Sequence, residues 1–354
     1  MVRILSRLDQ LAFADLVEKA HDAAFEAEFP ANGAVLKQMR RGRAYWYYRG
    51  YERAPEAARG AQTLKYVGPA ADPDIERRIA AFASIHADYR TRRELAARLR
   101  RAGLPAPLPF DGAVLAALAA AGVFRLRAVL VGSGAYPTYS GLIGVRLPDA
   151  LHATEDMDFA QDYGISVALD DRTAPLDTAL QTVDPTFAPF EKWSAPGLSI
   201  GFRNARGFKV EFLTTHRGDR TLGDGASLLP SLAVGAQPLE FLDYLIRDPV
   251  PSVALHEAGV AVVVPAPARY AVHKLIVSSR RSNLAKAPKD IDQAAALIEA
   301  FLVAGRRADL SDAFEEAAAR GPSWSSAVRA GLARLPDRLS PAAKQILQGI
   351  AHDQ

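Results

Sequence analysis

VLVGSGAYPTYSGLIGVRLPDALHATEDMDFA, residues 129–160, is the stretch whose reading decides the fold. An apolar run, Arg127-Ala128-Val129-Leu130-Val131, stops at Gly132-Ser133-Gly134, a short amphipathic piece comes next, and Asp156-Met157-Asp158-Phe159 closes the stretch. The pattern predicts strand, glycine turn, helix, loop, strand. Side chains alternate along a strand, so Asp156 and Asp158 share one face about 7 Å apart, while Met157 and Phe159 take the other face and bury it. Glu155 is expected on the opposite side from the pair. Two carboxylates on one face repel each other unless positive charge sits between them. An oxygen-preferring divalent cation suits the gap. Glycine at 132 permits close approach of the backbone, and the N–H groups of a helix start, with the Ser133 hydroxyl, can bind phosphate oxygens. Arg146, in the loop before the acids, is placed to grip a phosphate with its two-pronged guanidinium.

Outward from this stretch the chain reads as ordinary protein. Its 354 residues are enough for two or three domains. Hydrophobic residues make 49% and charged residues 23%, a globular balance, and a net charge of +3 implies no global field for polyanions. There are no cysteines, which excludes disulfides, thiolate catalysis and cysteine-ligated zinc. No second histidine stands at metal spacing from His273, so a zinc site is not expected. The N-terminal MVRILSRLDQLAF lacks a secretory apolar core, and no run reaches the roughly 18 apolar residues of a membrane span. A cytoplasmic protein with no membrane contact is the expectation.

Ahead of the organising stretch, Leu8, Leu11, Phe13, Leu16, Val17, Ala20 and Phe25 recur at helical spacing, with Ser6 and Asp9 as a cap and Pro30 to Gly33 as the stop. Arg40–Tyr51, dense in aromatics, and Gln62–Val67 predict a β-hairpin with a loop around Pro55 to Gly60. Interleaved arginines and tyrosines there suit RNA, through phosphate contact and base stacking, as well as plain packing of one hairpin face. Asp72-Pro73-Asp74 starts an arginine-rich helix expected to run to about Ala102. Gly103 and the prolines at 105, 107 and 109 form the clearest linker. Beyond Asp158, strands are expected at Ile165–Leu169, Leu198–Phe202, Phe208–Leu213 and Val260–Val264, the middle two joined by a turn at 203–207. From Ala268 onward the pattern is helical.

The Gly-Ser turn after a strand, with Asp-x-Asp on the next, resembles the signature of the DNA polymerase β-like nucleotidyltransferase superfamily, in its uncharacterised or toxin-like bacterial branch. The gap from Gly132-Ser133 to Asp156 is longer than that superfamily's usual one. The resemblance implies an α+β fold: a small mixed β-sheet nucleotidyltransferase core with flanking helices. An N-terminal helix and hairpin region (1–104) would precede the core (105–266), and a C-terminal helical region (267–354) would come after it. It implies that the Gly-Ser turn holds a triphosphate, that Asp156 and Asp158 hold magnesium, with manganese as the alternative, and that a third acid comes from a later strand. That acid falls on Glu211, where aspartate is usual; Asp184 and Asp219 are weaker substitutes. The resemblance also implies roles for basic residues on and after the helix 267–276. Lys274 would neutralise triphosphate charge or pair with the catalytic acids, and Arg280 and Arg281 would line the cleft, with Lys286, Lys289 and Asp290 beyond. The activity implied is two-metal transfer of a nucleoside monophosphate from a nucleoside triphosphate to an acceptor hydroxyl on RNA or tRNA, protein or a small molecule. A toxin of a toxin–antitoxin pair is one form of it. A nucleotide- or RNA-binding module on a degenerate core is the alternative.

Overall fold

The computed structural model describes residues 2–29, 33–52, 61–81, 89–148, 156–191, 197–216, 225–280, 287–337 and 339. The architecture is α+β, a mixed sheet flanked by helices. A short β1 (Arg3–Ile4) leads into α1 (Arg7–Glu28). Ser6 caps that helix by accepting the Asp9 N–H, and its hydroxyl donates back to Asp9 at 2.6 Å.

The N-terminal sheet has three strands rather than the two of a hairpin: β2 (Ala34–Arg40), β3 (Arg43–Glu52) and β4 (Ala61–Pro69), all antiparallel. Arg41 and Gly42 both take positive φ, 49° and 78°, and form a two-residue turn at the start of the expected 40–51 strand, which begins at Arg43 and is joined by that turn to β2, a strand the sequence pattern did not predict. Such turns match the twist of the strands they join. The expected loop around 55–60 lies outside the described residues. Asp72 caps α2 (Pro73–Ala80) as expected, accepting from the N–H groups of Asp74 and Ile75. After 82–88, outside the described residues, α3 (Tyr89–Arg101) carries the rest of the arginine-rich segment. α4 (Pro109–Ala120) comes after the proline linker.

The central sheet begins with β5 (Val129–Val131), and a near-continuous helical stretch succeeds it: α5 (Gly132–Ala135), a 3-10 turn at Tyr136–Thr138 and α6 (Tyr139–Ile143). β6 (Val145–Arg146) pairs with β1. β7 (Asp156–Gln161) is the acidic strand. The expected strand at Ile165–Leu169 is instead α7 (Tyr163–Ala168). Asp162 caps it by accepting the Ile165 N–H at 3.1 Å and is itself held by the Thr215 hydroxyl at 2.8 Å. Ile165 and Val167 thereby face solvent and Ser166 turns inward onto Ser231. A local cap has outweighed β-branched propensity here.

α8 (Leu176–Gln181), β8 (Ala188–Glu191), β9 (Ser199–Arg203), β10 (Lys209–Thr215), β11 (Ser227–Leu229) and β12 (Val234–Leu239) complete this part. The sheet order is β11-β12-β10-β7-β5. β9 pairs with the first half of the β10 edge whose second half pairs with β12, and β8 lies outside β9. β7 runs parallel to β10 and antiparallel to β5. The β9–β10 turn is closed by the Asn204 side chain, which accepts from the N–H groups of Arg206 and Phe208. α9 (Leu242–Leu245) precedes a separate ribbon, β13 (Val250–Ala254) with β14 (Val260–Val264). α10 (Pro267–Arg280), α11 (Ala287–Val303), α12 (Arg307–Ala319) and α13 (Pro322–Leu332) finish the described chain.

One hydrophobic core joins the sheet to these last helices. Met157, Phe159, Val210 and Phe212 pack in it with Tyr270, Leu275, Leu297 and Phe301. The N-terminal aromatics are packed as well. Tyr47 and Tyr66 enter the same core, and Tyr48 meets Phe25, Phe29 and Val67 under α1. Among the described residues no helix is long and apolar enough to cross a membrane.

Candidate active site

β7 reads Asp-Met-Asp-Phe, with Met157 and Phe159 buried and the two aspartates half-buried on the other face. The β7–β10 register sets Asp158 directly beside Glu211, and Asp156 beside Lys209. Paired residues of neighbouring strands point to the same face and their backbones lie about 4.8 Å apart. Asp156, Asp158 and Glu211 therefore share one face of two adjacent strands. Glu211 is interior to the sheet, since β10 has β7 on one side and β9 on the other at that level. Of the substitutes, Asp184 is used elsewhere. Its carboxylate holds the Thr186 hydroxyl and N–H, which lower its pKa, and it also accepts from Asn204. Asp219 and Glu155 lie outside the described residues.

The glycine turn abuts the acids. Gly132 has φ +62°, and a methyl group added to it would stand 2.4 Å from Asp158 Oδ2. Only a residue without a side chain both adopts that φ without strain and leaves that carboxylate its place. The Gly132 carbonyl accepts a hydrogen bond of 2.9 Å from the Tyr270 hydroxyl, on α10. That hydroxyl is also 2.9 Å from the Gln293 side-chain amide. One phenolic proton serves one acceptor, so with the proton on Gly132 the amide presents its N–H to the phenol oxygen. Burial, then the neighbouring Tyr139 and the carboxylates of Asp290 and Asp158, push the Tyr270 phenol well above its usual range, which keeps it a donor.

The basic residues expected at the site divide. Lys274 is buried, its ammonium 2.6 Å from Asp290 Oδ1 and 5.2 Å over the Tyr270 ring. Arg280 stands at the C-terminal end of α10, stacked 4.9 Å over Phe241 with Glu240 3.5 Å away. Arg146 is exposed on β6, with its guanidinium against the bend at Gly103. Arg281 lies outside the described residues. Two further cations lie on the acid face itself: Lys209, beside Asp156, and Arg203, beside Lys209. The signal was present in the alternation Lys-Val-Glu-Phe, which puts Lys209 on the Glu211 face.

Asp156, Asp158 and Glu211 are each half-buried. Two hollows, of about 450 and about 1150 Å³, lie along α1 and its neighbours, and neither is lined by the acids or Gly132. Among the described residues no three acidic or histidine side chains stand close enough to cage a metal ion. Hard carboxylate oxygens on one face suit magnesium, which is commonly held by one or two carboxylates together with substrate phosphates rather than by a closed protein cage.

Among solved structures, the chain is similar to one described as an antigenic nucleotidyltransferase-like protein from Paracoccidioides brasiliensis, at 16% identity and a TM-score of 0.32, over 62% of this chain and 93% of that one. No curated protein matches the chain. A sequence model described as Nucleotidyltransferase matches residues 110–319, from α4 through the acid face to the end of α12. That is more than half of the chain, and on it the protein belongs to the nucleotidyltransferase family.

Proposed function

We propose that the protein transfers a nucleoside monophosphate from a nucleoside triphosphate to an acceptor hydroxyl, releasing pyrophosphate. The observation that carries this reading is the register of Asp158 against Glu211, with Gly132 touching the Asp158 carboxylate. Gly132 and Ser133 offer backbone N–H groups and a hydroxyl to the triphosphate. Tyr270 holds the Gly132 carbonyl, so the turn is pre-aimed before substrate arrives. One or two of the carboxylates of Asp156, Asp158 and Glu211, together with the triphosphate oxygens, would hold magnesium or manganese, which when bound lowers the acceptor hydroxyl's pKa and neutralises the departing pyrophosphate. A bond forms between the acceptor oxygen and the α-phosphorus as the α–β bridging bond breaks. Pyrophosphate leaves with the electron pair, and the hydroxyl proton passes to solvent. The chain supplies position and charge rather than a covalent nucleophile. Lys274, engaged by Asp290, contributes by holding α10 to α11.

Asp158→Ala should lower pyrophosphate release by at least about 100-fold while leaving the thermal melt unchanged or raised, since one of three like charges on that face is gone. Turnover at the wild-type rate in Asp158→Ala would sink the assignment. Triphosphate binding without any pyrophosphate release from the wild-type protein would identify a binding module instead.

A further inference from the structure

The sheet continues past the acids. At the level of Asp158 and Glu211 the next residues across are Gly201 on β9 and Phe190 on β8; at the level of Asp156 they are Lys209, Arg203 and Ala188. All of these point to the acid face. Gly201 has no room for a side chain, and the Phe190 ring lies over it, 3.0 Å from where a methyl group would be. The Arg203 guanidinium stacks 5.0 Å over that ring. Arg203 is exposed and Lys209 half-buried. Among the described residues neither forms an ion pair with a carboxylate. Two cations and an aromatic ring thus stand on the β8–β9 side of the acids, and Gly132 and Ser133 stand on the β5 side.

We propose that Phe190, Arg203 and Lys209 form the acceptor subsite, and that it takes a nucleotide phosphate, either a free mononucleotide or the terminal nucleotide of a strand. The proposal rests on the nucleotidyl-transfer reading above. In-line displacement puts the attacking and leaving oxygens on opposite sides of the α-phosphorus. With the triphosphate tail on the glycine turn, the attacking hydroxyl comes from the far side of the acids, where Lys209 and Arg203 lie. A guanidinium already stacked on a phenyl ring extends the stack to a base and keeps N–H donors for a phosphate. A protein hydroxyl would bring neither the anion nor the ring that these three side chains match.

The test uses the full chain as wild type, Asp158→Ala, Arg203→Ala and Phe190→Ala. Binding is measured by fluorescence anisotropy with a labelled nucleoside 5′-monophosphate and a labelled single-stranded oligonucleotide. Transfer is measured from labelled triphosphate to each of these and to a serine-rich peptide. One nucleotide arm should bind the wild type and Asp158→Ala alike, and Arg203→Ala should weaken it tenfold or more. Arg203→Ala and Phe190→Ala should raise the acceptor KM about tenfold and leave triphosphate binding unchanged. The arm that binds tells mononucleotide from strand end. Unaltered acceptor binding and KM in both variants, or label passing only to the peptide, overturns the subsite. Transfer persisting in Asp158→Ala overturns the underlying reading instead.

Discussion

Tyr270 is the residue whose importance the local sequence conceals. It lies 138 positions from Gly132 in the chain, yet its hydroxyl fixes the carbonyl of the glycine that abuts the Asp158 carboxylate. Removing that hydroxyl takes one hydrogen bond from the half-buried Gly132 carbonyl and one from the buried Gln293 amide, a loss of about 1–3 kcal/mol. Tyr270→Phe should therefore unfold at lower denaturant concentration. It should also raise the KM for triphosphate, because the turn that receives phosphate loses its brace. Chemical denaturation together with pyrophosphate-release kinetics reads both effects. Stability lost with an unmoved triphosphate KM would confine Tyr270 to packing. Asp156 and Asp158 are different, because alternation with Met157 and Phe159 makes their shared face legible from four consecutive residues.

At the scale of elements, the site depends on α10 being pressed against both the glycine turn and α11. The Lys274–Asp290 pair clamps α10 to α11 in nearly complete burial, with side chains 7% and 4% exposed. Taking the ammonium away leaves a carboxylate in a low-dielectric setting. Lys274→Met should cost about 3–5 kcal/mol, and Lys274→Met with Asp290→Leu should recover most of it. Urea unfolding of the single and double variants measures the coupling; additive losses would mean that the pair contributes nothing as a pair. The same scale explains α7. Its sequence Ile-Ser-Val reads as a strand, but the Asp162 cap and the Ser166–Ser231 hydrogen bond make it a helical turn. Likewise Arg41 and Gly42 make the turn that joins the expected aromatic strand to β2, which the sequence pattern did not predict.

Across the whole molecule, the N-terminal region is joined to the remainder by polar links as well as by core. Arg125 donates to the Tyr66 carbonyl and pairs with Asp171, and His21 on α1 reaches the Ser252 carbonyl at 3.0 Å. Burial, with the charge of Arg78 next, lowers the His21 pKa to about 4. A group whose folded pKa lies below its unfolded value of 6.5 contributes stability that is present above pH 6.5 and lost as pH falls towards 4. The loss amounts to about 3 kcal/mol at most. Denaturant melts from pH 7.5 to 4 should show that decline, flattened in His21→Gln. An identical slope in the variant would assign it to other groups. The buried Tyr47, Tyr48 and Tyr66 belong to this joint and are occupied in packing, while Tyr45 and Trp46 beside them are half-buried.

Local patterns alone determined the acidic strand, the glycine turn before it, the Ser6 and Asp72 caps, the β9–β10 turn and the helical C-terminal part, because each is written in residues within a few positions of one another. Only the folded chain could decide the strand register that sets Glu211 beside Asp158. It also decided that Lys274 faces Asp290, and that Lys209 and Arg203 extend the acid face. Those are meetings between residues on different strands or helices, whose contact no local pattern specifies. Nothing in the local alternation of a strand specifies which neighbour it will pair with, or at what offset.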